Sequence, residues 1–287
     1  MRGIAVWALA AIVLFATSGL QAEETCKSAD ALGVSRVIEV DTTGGPWFGE
    51  PFGNPDFLKP GEVVLTFDDG PSPLTTRPIL EALAAQCTKA VFFMVGEMAA
   101  EHPEMVREVA AQGHAIGTHT WSHANLKQRS FEDIKTQIES AFTAVERAAG
   151  GSIAPFFRYP YLNDTPAAVT YLQGRNIGQF AVDIDTLDWL SRNAQSVVRR
   201  AMSGLQHRGR GIVLLHDIHS STAAAVPHLL AQLKAGGYKV VHLQPKATVE
   251  TIATYQPPVK MTQRSVLRRQ FAGRSKTGGS EWKWPAW

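Results

Sequence analysis

The chain has 287 residues, 45% of them hydrophobic and 19% charged. That balance is too apolar and too weakly charged for a disordered protein, and the length suits one large α/β domain or two small ones. A formal net charge of +2 gives no global electrostatic case for nucleic acid as a partner.

The first 22 residues read as a secretory signal peptide. Arg2 opens it, Ile4 to Ala16 is apolar, and Ser18, Gly19 and Ala22 form a small-residue region before Glu23. Cleavage after Ala22 is expected, and with it a secreted or periplasmic protein. The apolar run is short against the roughly 20 residues of a spanning helix. Cys26 and Cys87 are the two cysteines. They lack the CxxC spacing of a redox or zinc motif. Whether they pair in an oxidising compartment stays open. Any metal must then be held by nitrogen and oxygen.

Residues 23–60 are rich in Gly and Pro and read as an extended lead-in that packs on the domain. Regular alternation starts at Glu62. Strands are expected at Val63–Phe67, Ala90–Val95, His114–Thr118, Phe156–Arg158, Gly178–Val182, Gly211–Leu215 and Lys239–Leu243. Helices are expected at Pro78–Gln86, Pro103–Gln112, Ser130–Ala149, Pro166–Arg175, Ala194–Gln206 and Ala223–Ala235. Ser130 with Asp133 has the look of an N-terminal capping arrangement. Apolar strands alternating with helices imply a parallel sheet covered on both faces. Both an open doubly wound sheet and a (β/α) barrel meet this pattern. No Gly-rich phosphate-binding turn follows the first strand. One α/β domain is therefore expected over 61–258. Residues 259–287 hold seven Lys or Arg against one acid, which leaves 20 basic and 25 acidic residues on 23–258. This basic stretch, ending in Trp282, Trp284 and Trp287, reads as a flexible tail, either simply solvated or touching an anionic wall or membrane surface.

Ionisable residues gather just after expected strand ends, the edge that carries active sites in parallel α/β folds. Asp68 and Asp69 are adjacent carboxylates that repel unless a cation or hydrogen bonds compensate. His119 and His123 stand four apart, and imidazole suits zinc and related metals. With Asp69 they form a His₂Asp set with open positions. Arg158, in Arg158-Tyr159-Pro160-Tyr161, can hold one carboxylate ionised. Trp189, beside Asp185 and Asp188, is a common wall for a sugar ring. His216, in Leu214-Leu215-His216-Asp217, can act as a general acid if a carboxylate partners it. Each cluster alone also has an ordinary reading as a surface turn, core histidine, salt bridge or helix cap.

Together, and in this order, TFDDG, HTWSH, RYPY, DTLDW and LLH resemble the polysaccharide deacetylases, carbohydrate esterase family 4, over about residues 60–245. The resemblance implies a distorted (β/α) barrel of seven or eight mostly parallel strands and a divalent metal, usually zinc. It implies hydrolysis of acetyl groups from carbohydrate, most often from N-acetylglucosamine units. Asp69, His119 and His123 match the metal ligands, and Asp68 the general base. Arg158 matches the residue orienting that base, and the Tyr161 backbone N–H the oxyanion donor. Asp188 matches the partner of the acid His216. Trp189, Leu214 and Pro160 fall on the substrate side.

The expected function is thus a secreted metal-dependent N-deacetylase acting on peptidoglycan or chitin-like oligosaccharides, of open oligomeric state. The alternatives are an O-acetyl esterase on xylan-type polysaccharide and a catalytically inactive glycan-binding protein. A redox metalloprotein suffers from the lack of thiolate ligands.

Overall fold

The computed structural model describes residues 30–52, 57–252 and 254–255. The leader over 1–22, Cys26 and the tail over 259–287 lie outside the described residues. Cys87 is disulfide-bonded. Among the described residues, no helix is long and apolar enough to cross a membrane.

The described chain runs β1 (Arg36–Val40), β2 (Trp47–Phe48), β3 (Glu62–Asp68), α1 (Pro73–Ala85), β4 (Val91–Met94), α2 (Gly96–Glu101), α3 (Pro103–Ala111) and β5 (Ala115–Thr118). It continues with α4 (Phe131–Ala149), β6 (Phe156–Phe157), α5 (Pro166–Gly174), β7 (Gly178–Phe180), β8 (Ile184–Asp185), α6 (Ala194–Arg208), β9 (Gly211–His216), α7 (Ser220–Ala235) and β10 (Lys239–Pro245). Every ladder is parallel. Strands β9, β3, β4, β5, β6, β7 and β2 lie side by side in that order, with β8 on the far edge of β9. The pair β1–β10 joins at the start of β3.

Side-chain alternation along the strands creates two cores. On β3, Val63, Leu65 and Phe67 face the helices, among Leu80, Phe142 and Leu229. Val64 faces the other way, with Phe93, Phe156, Phe180 and Ile212. Phe180 lies 4.8, 5.3 and 4.9 Å, ring to ring, from Phe48, Phe93 and Phe156. Residues on four strands meet there only because the sheet curls. The fold is α/β, a distorted (β/α) barrel whose seam stays open. No ladder links β2 to β8 among the described residues. The Asp183 carboxylate laces that seam instead, accepting the N–H of Glu50 at 2.9 Å and of Ile212 at 2.7 Å.

All seven expected strands are present. The differences lie where local pattern is weak. The lead-in contributes β1 and β2 to the sheet, and β8 and α2 are too short to show periodicity. Helix α1 begins at Pro73 rather than Pro78, which sits inside it. Pro78 is tolerated because the carbonyl it leaves without a donor belongs to the exposed Leu74. Helix α4 starts as expected, with the Ser130 hydroxyl accepting the Asp133 N–H at 3.2 Å.

Candidate active site

Asp68 and Asp69 close β3, and the alternation that sends Phe67 outward sends Asp68 into the lumen. Asp69 then takes a left-handed backbone, φ 78°, which turns its carboxylate towards the loop after β5. That loop carries His119 and His123. Asp69 Oδ1 lies 3.5 Å from His119 Nε2 and 3.3 Å from His123 Nε2. Two ligands each about 2.0–2.2 Å from one tetrahedral ion stand roughly 3.4 Å apart, so the spacing fits a shared cation. Two further observations agree. Asp69 Oδ1 is buried without a hydrogen-bond partner. His119 Nδ1 donates to the Arg158 carbonyl at 2.8 Å, which leaves the Nε2 lone pair for a metal. Burial, then the neighbouring His123, hold His119 far below its ordinary pKa, and the neutral ring is the ligating form.

Beside this triad, Arg158 is wholly buried and uses its guanidinium as a clamp. It donates to Asp68 Oδ1 at 2.8 Å and to Thr66 Oγ1 at 2.7 Å, and reaches the carbonyls of Phe180 and Ala181. Its plane sits 4.3 Å from the centre of the Phe93 ring. Burial pushes Asp68 up to about 6, against the lowering charges of Arg158 and His216. Asp68 Oδ2 points to the triad, 3.8 Å from His119 Nε2.

On the other flank, the β3–β9 register sets His216 directly across from Asp68. Asp188, buried, binds His216 twice: Oδ1 with Nδ1 at 2.7 Å, and Oδ2 with the backbone N–H at 2.8 Å. Burial opposes the charged imidazole, yet the Asp188 hydrogen bond and the charges of Asp69, Asp188 and Asp68 raise His216 to about 9. Leu214 is buried across from Thr66 and Asp185. Trp189 is half-buried and hydrogen-bonds the Asp185 carboxylate. Pro160 is buried at the start of a one-turn 3-10 helix, while Tyr161 is 45% exposed and sets its ring edge-on to His123 at 4.7 Å.

Several further side chains support these residues. Thr222 donates to Asp188 Oδ2 at 2.6 Å. Thr66 receives Arg158 and itself donates to the Val213 carbonyl. Asp217, 1% exposed, stands behind the turn that carries Asp69. Six of the eight non-glycine residues with positive φ among the described residues are Asp69, Thr120, His123, Tyr161, Leu162 and Leu187. Strained backbone of this kind costs on the order of 1 kcal/mol per residue and collects at functional sites.

Comparison with known proteins gives the same direction. The polysaccharide deacetylase family profile matches residues 58–177. The peptidoglycan-N-acetylglucosamine deacetylase PgdA of Listeria monocytogenes is 35% identical over 181 residues, covering 62% of this chain and 37% of its own length. This chain thus matches little more than a third of that relative. Among solved structures, the Bdellovibrio bacteriovorus peptidoglycan deacetylase Bd3279 superposes with a TM-score of 0.67 and 31% identity, over 79% of this chain and 63% of that one. The T48 deacetylase solved with substrate gives a TM-score of 0.56 and 34% identity, over 62% of this chain and 86% of that one. A solved relative one-third identical and matched over most of its length, sharing the fold that gathers these strand-end motifs, makes this chain a member of the polysaccharide deacetylase family.

Proposed function

We propose that the protein removes N-acetyl groups from N-acetylglucosamine-containing glycans, peptidoglycan or chitin-like oligosaccharides, outside the cytoplasm. The observation that carries this reading is the pairing across β3 and β9, where a base-like Asp68 faces an acid-like His216 beside the Asp69–His119–His123 cluster. Zinc fits that cluster, since two imidazoles and one carboxylate with positions left open are a ligand set of catalytic zinc sites. The N-terminal apolar stretch supports export.

An amide is a poor electrophile and its amine a poor leaving group. A divalent ion held by Asp69, His119 and His123 would polarise the acetyl carbonyl and lower the pKa of a water. Asp68 is ionised at neutral pH and takes the water's proton, while Arg158 keeps its carboxylate aimed. The Tyr161 N–H would stabilise the developing oxyanion, a contribution of about 3 kcal/mol for one aimed donor. His216, charged at neutral pH, passes its Nε2 proton to the departing nitrogen. Asp188 binds the other ring nitrogen, sets the tautomer and keeps the ring turned to the substrate. Trp189 and Leu214 offer apolar surface to the sugar and the acetyl methyl.

Purified protein should release acetate from N-acetyl-chitooligosaccharides or peptidoglycan faster than from acetylxylan. A chelator should abolish release and zinc restore it. His119→Ala should lose bound zinc and activity together. No acetate from any N- or O-acetylated glycan at saturating zinc would overturn the reading, and preference for acetylxylan would replace the amide substrate by an ester.

A further inference from the structure

We propose that Asp217 is a positioning residue for the metal-ligating turn: its buried carboxylate and backbone lock Asp68–Gly70 in the bend that aims Asp69 at the two imidazoles. The inference rests on the metal-hydrolase reading above.

Asp69 Oδ1 accepts no hydrogen bond within the protein. Its aim therefore depends on the backbone, which at φ 78° is a conformation uncommon for a non-glycine residue. Three contacts from Asp217 surround that backbone. Its N–H donates to the Asp68 carbonyl at 3.3 Å. Its own carbonyl accepts the Thr75 hydroxyl. Its Oδ2 accepts the Thr76 hydroxyl. Thr75 and Thr76 lie in the first turn of α1, a few residues beyond the bend, so Asp217 ties both ends of the turn to the end of β9. The fit at Gly70 is close. A Cβ placed there would stand 2.1 Å from Asp217 Oδ2, so only glycine lets the carboxylate lie against the chain. From the opposite side, Val95 N–H donates to the Gly70 carbonyl at 3.1 Å.

The chemistry argues for placement over filling. Asp217 is 1% exposed and its Oδ1 has no hydrogen-bond partner. Burying such a carboxyl is costly, and an apolar side chain would fill the space at less expense. Because Asp217 follows His216 directly, one short segment holds the acid with one residue and the ligand turn with the next.

The test compares the full-length protein with Asp217→Ala, Asp217→Asn and Thr76→Val. Zinc affinity of the metal-free forms is read by competition with a chromophoric chelator, alongside kcat and KM for acetate release. Loss of a residue that orients a ligand weakens metal binding about 10–100-fold. Asp217→Ala is expected to fall in that range and Thr76→Val to show a smaller loss. Asp217→Asn, which still accepts the Thr76 hydroxyl, should recover most of the affinity. Excess zinc should restore kcat in part while KM stays near wild type, a split that general unfolding does not produce. Wild-type zinc affinity in Asp217→Ala would overturn the proposal. Should that variant fail to fold, unchanged affinity in Thr76→Val would do so. A wild-type protein that neither binds zinc nor releases acetate would instead sink the functional reading itself.

Discussion

His216, at the carboxyl end of β9, is largely buried and His114, just before β5, is buried, yet the first is pushed up to about 9 and the second down to about 3. Burial opposes the charged ring in both. At His216 it is outweighed by Asp188 at 2.7 Å and by the charges of Asp69, Asp188 and Asp68. At His114 nothing offsets it, and Lys89 and His242 add positive charge. His242, on β10, follows the same course down to about 4. Buried imidazole is therefore not a catalytic signal by itself. What distinguishes the two regions is where the carboxylates are. The strand ends that meet the loops after β3, β8 and β9 hold them in numbers, and the region between the start of β5 and β10 does not.

The largest effect is expected when a carboxylate is removed from the first region. Asp68→Asn preserves shape and deletes the proposed base. General base catalysis contributes typically about 10²–10⁴-fold, so kcat should fall by that factor while zinc content, set by Asp69, His119 and His123, is retained. Single-turnover acetate release and metal analysis on the same preparation check it. A loss of less than tenfold would move the base elsewhere.

A smaller and more specific effect is expected at Asp188. The acid must be protonated to act, so activity falls as pH rises through the His216 pKa. Asp188 raises that pKa, and Asp188→Asn should let it drop. An adjacent opposite charge moves a pKa by about 1–3 pH units. The alkaline limb of the kcat/KM profile should therefore shift to lower pH by that amount from about 9. An unmoved limb would mean that another group supplies the proton.

Residues whose chemistry is local were legible in the sequence. Asp68, Asp69, His119 and His123 sit at the ends of apolar runs long enough to read as strands, and the strand-end rule marks them without knowledge of the fold. Arg158 and Asp188 were visible in the same way. Thr222 lay outside every motif, and Thr66 and Asp217, though inside two of them, had no role assigned, because the meaning of all three arises only from contact. Thr222 reaches Asp188 from α7, and Asp217 reaches Thr76 from across the β3–β9 ladder. Strands β2 and β8 were illegible for another reason: β2 lies in the Gly- and Pro-rich lead-in, and β8 lies in an acidic stretch that ends at Asp185. Their place is set by Phe48 stacking on Phe180 and by Asp183 lacing the seam.

The least perturbing test lies in the second region and should leave catalysis alone. His114 Nδ1 accepts the Ala90 N–H at 3.2 Å, so the neutral ring carries its proton on Nε2, which has no partner. With a folded pKa of about 3 and an unfolded value near 6.5, the unfolded chain binds more protons at any pH below about 6.5. Stability contributed by His114 is therefore lost as pH falls from that point towards 3, by about 2 kcal/mol at pH 5. His114→Gln keeps an acceptor for Ala90 but cannot titrate. The drop in melting temperature between pH 7 and pH 5 should shrink by about 4–8 °C relative to wild type, with kcat unchanged. An equal drop in both proteins would mean that water entering the adjoining cleft of about 350 Å³ solvates the charged ring. Burial would then not hold His114 neutral, and the contrast would rest on the carboxylates around His216 alone.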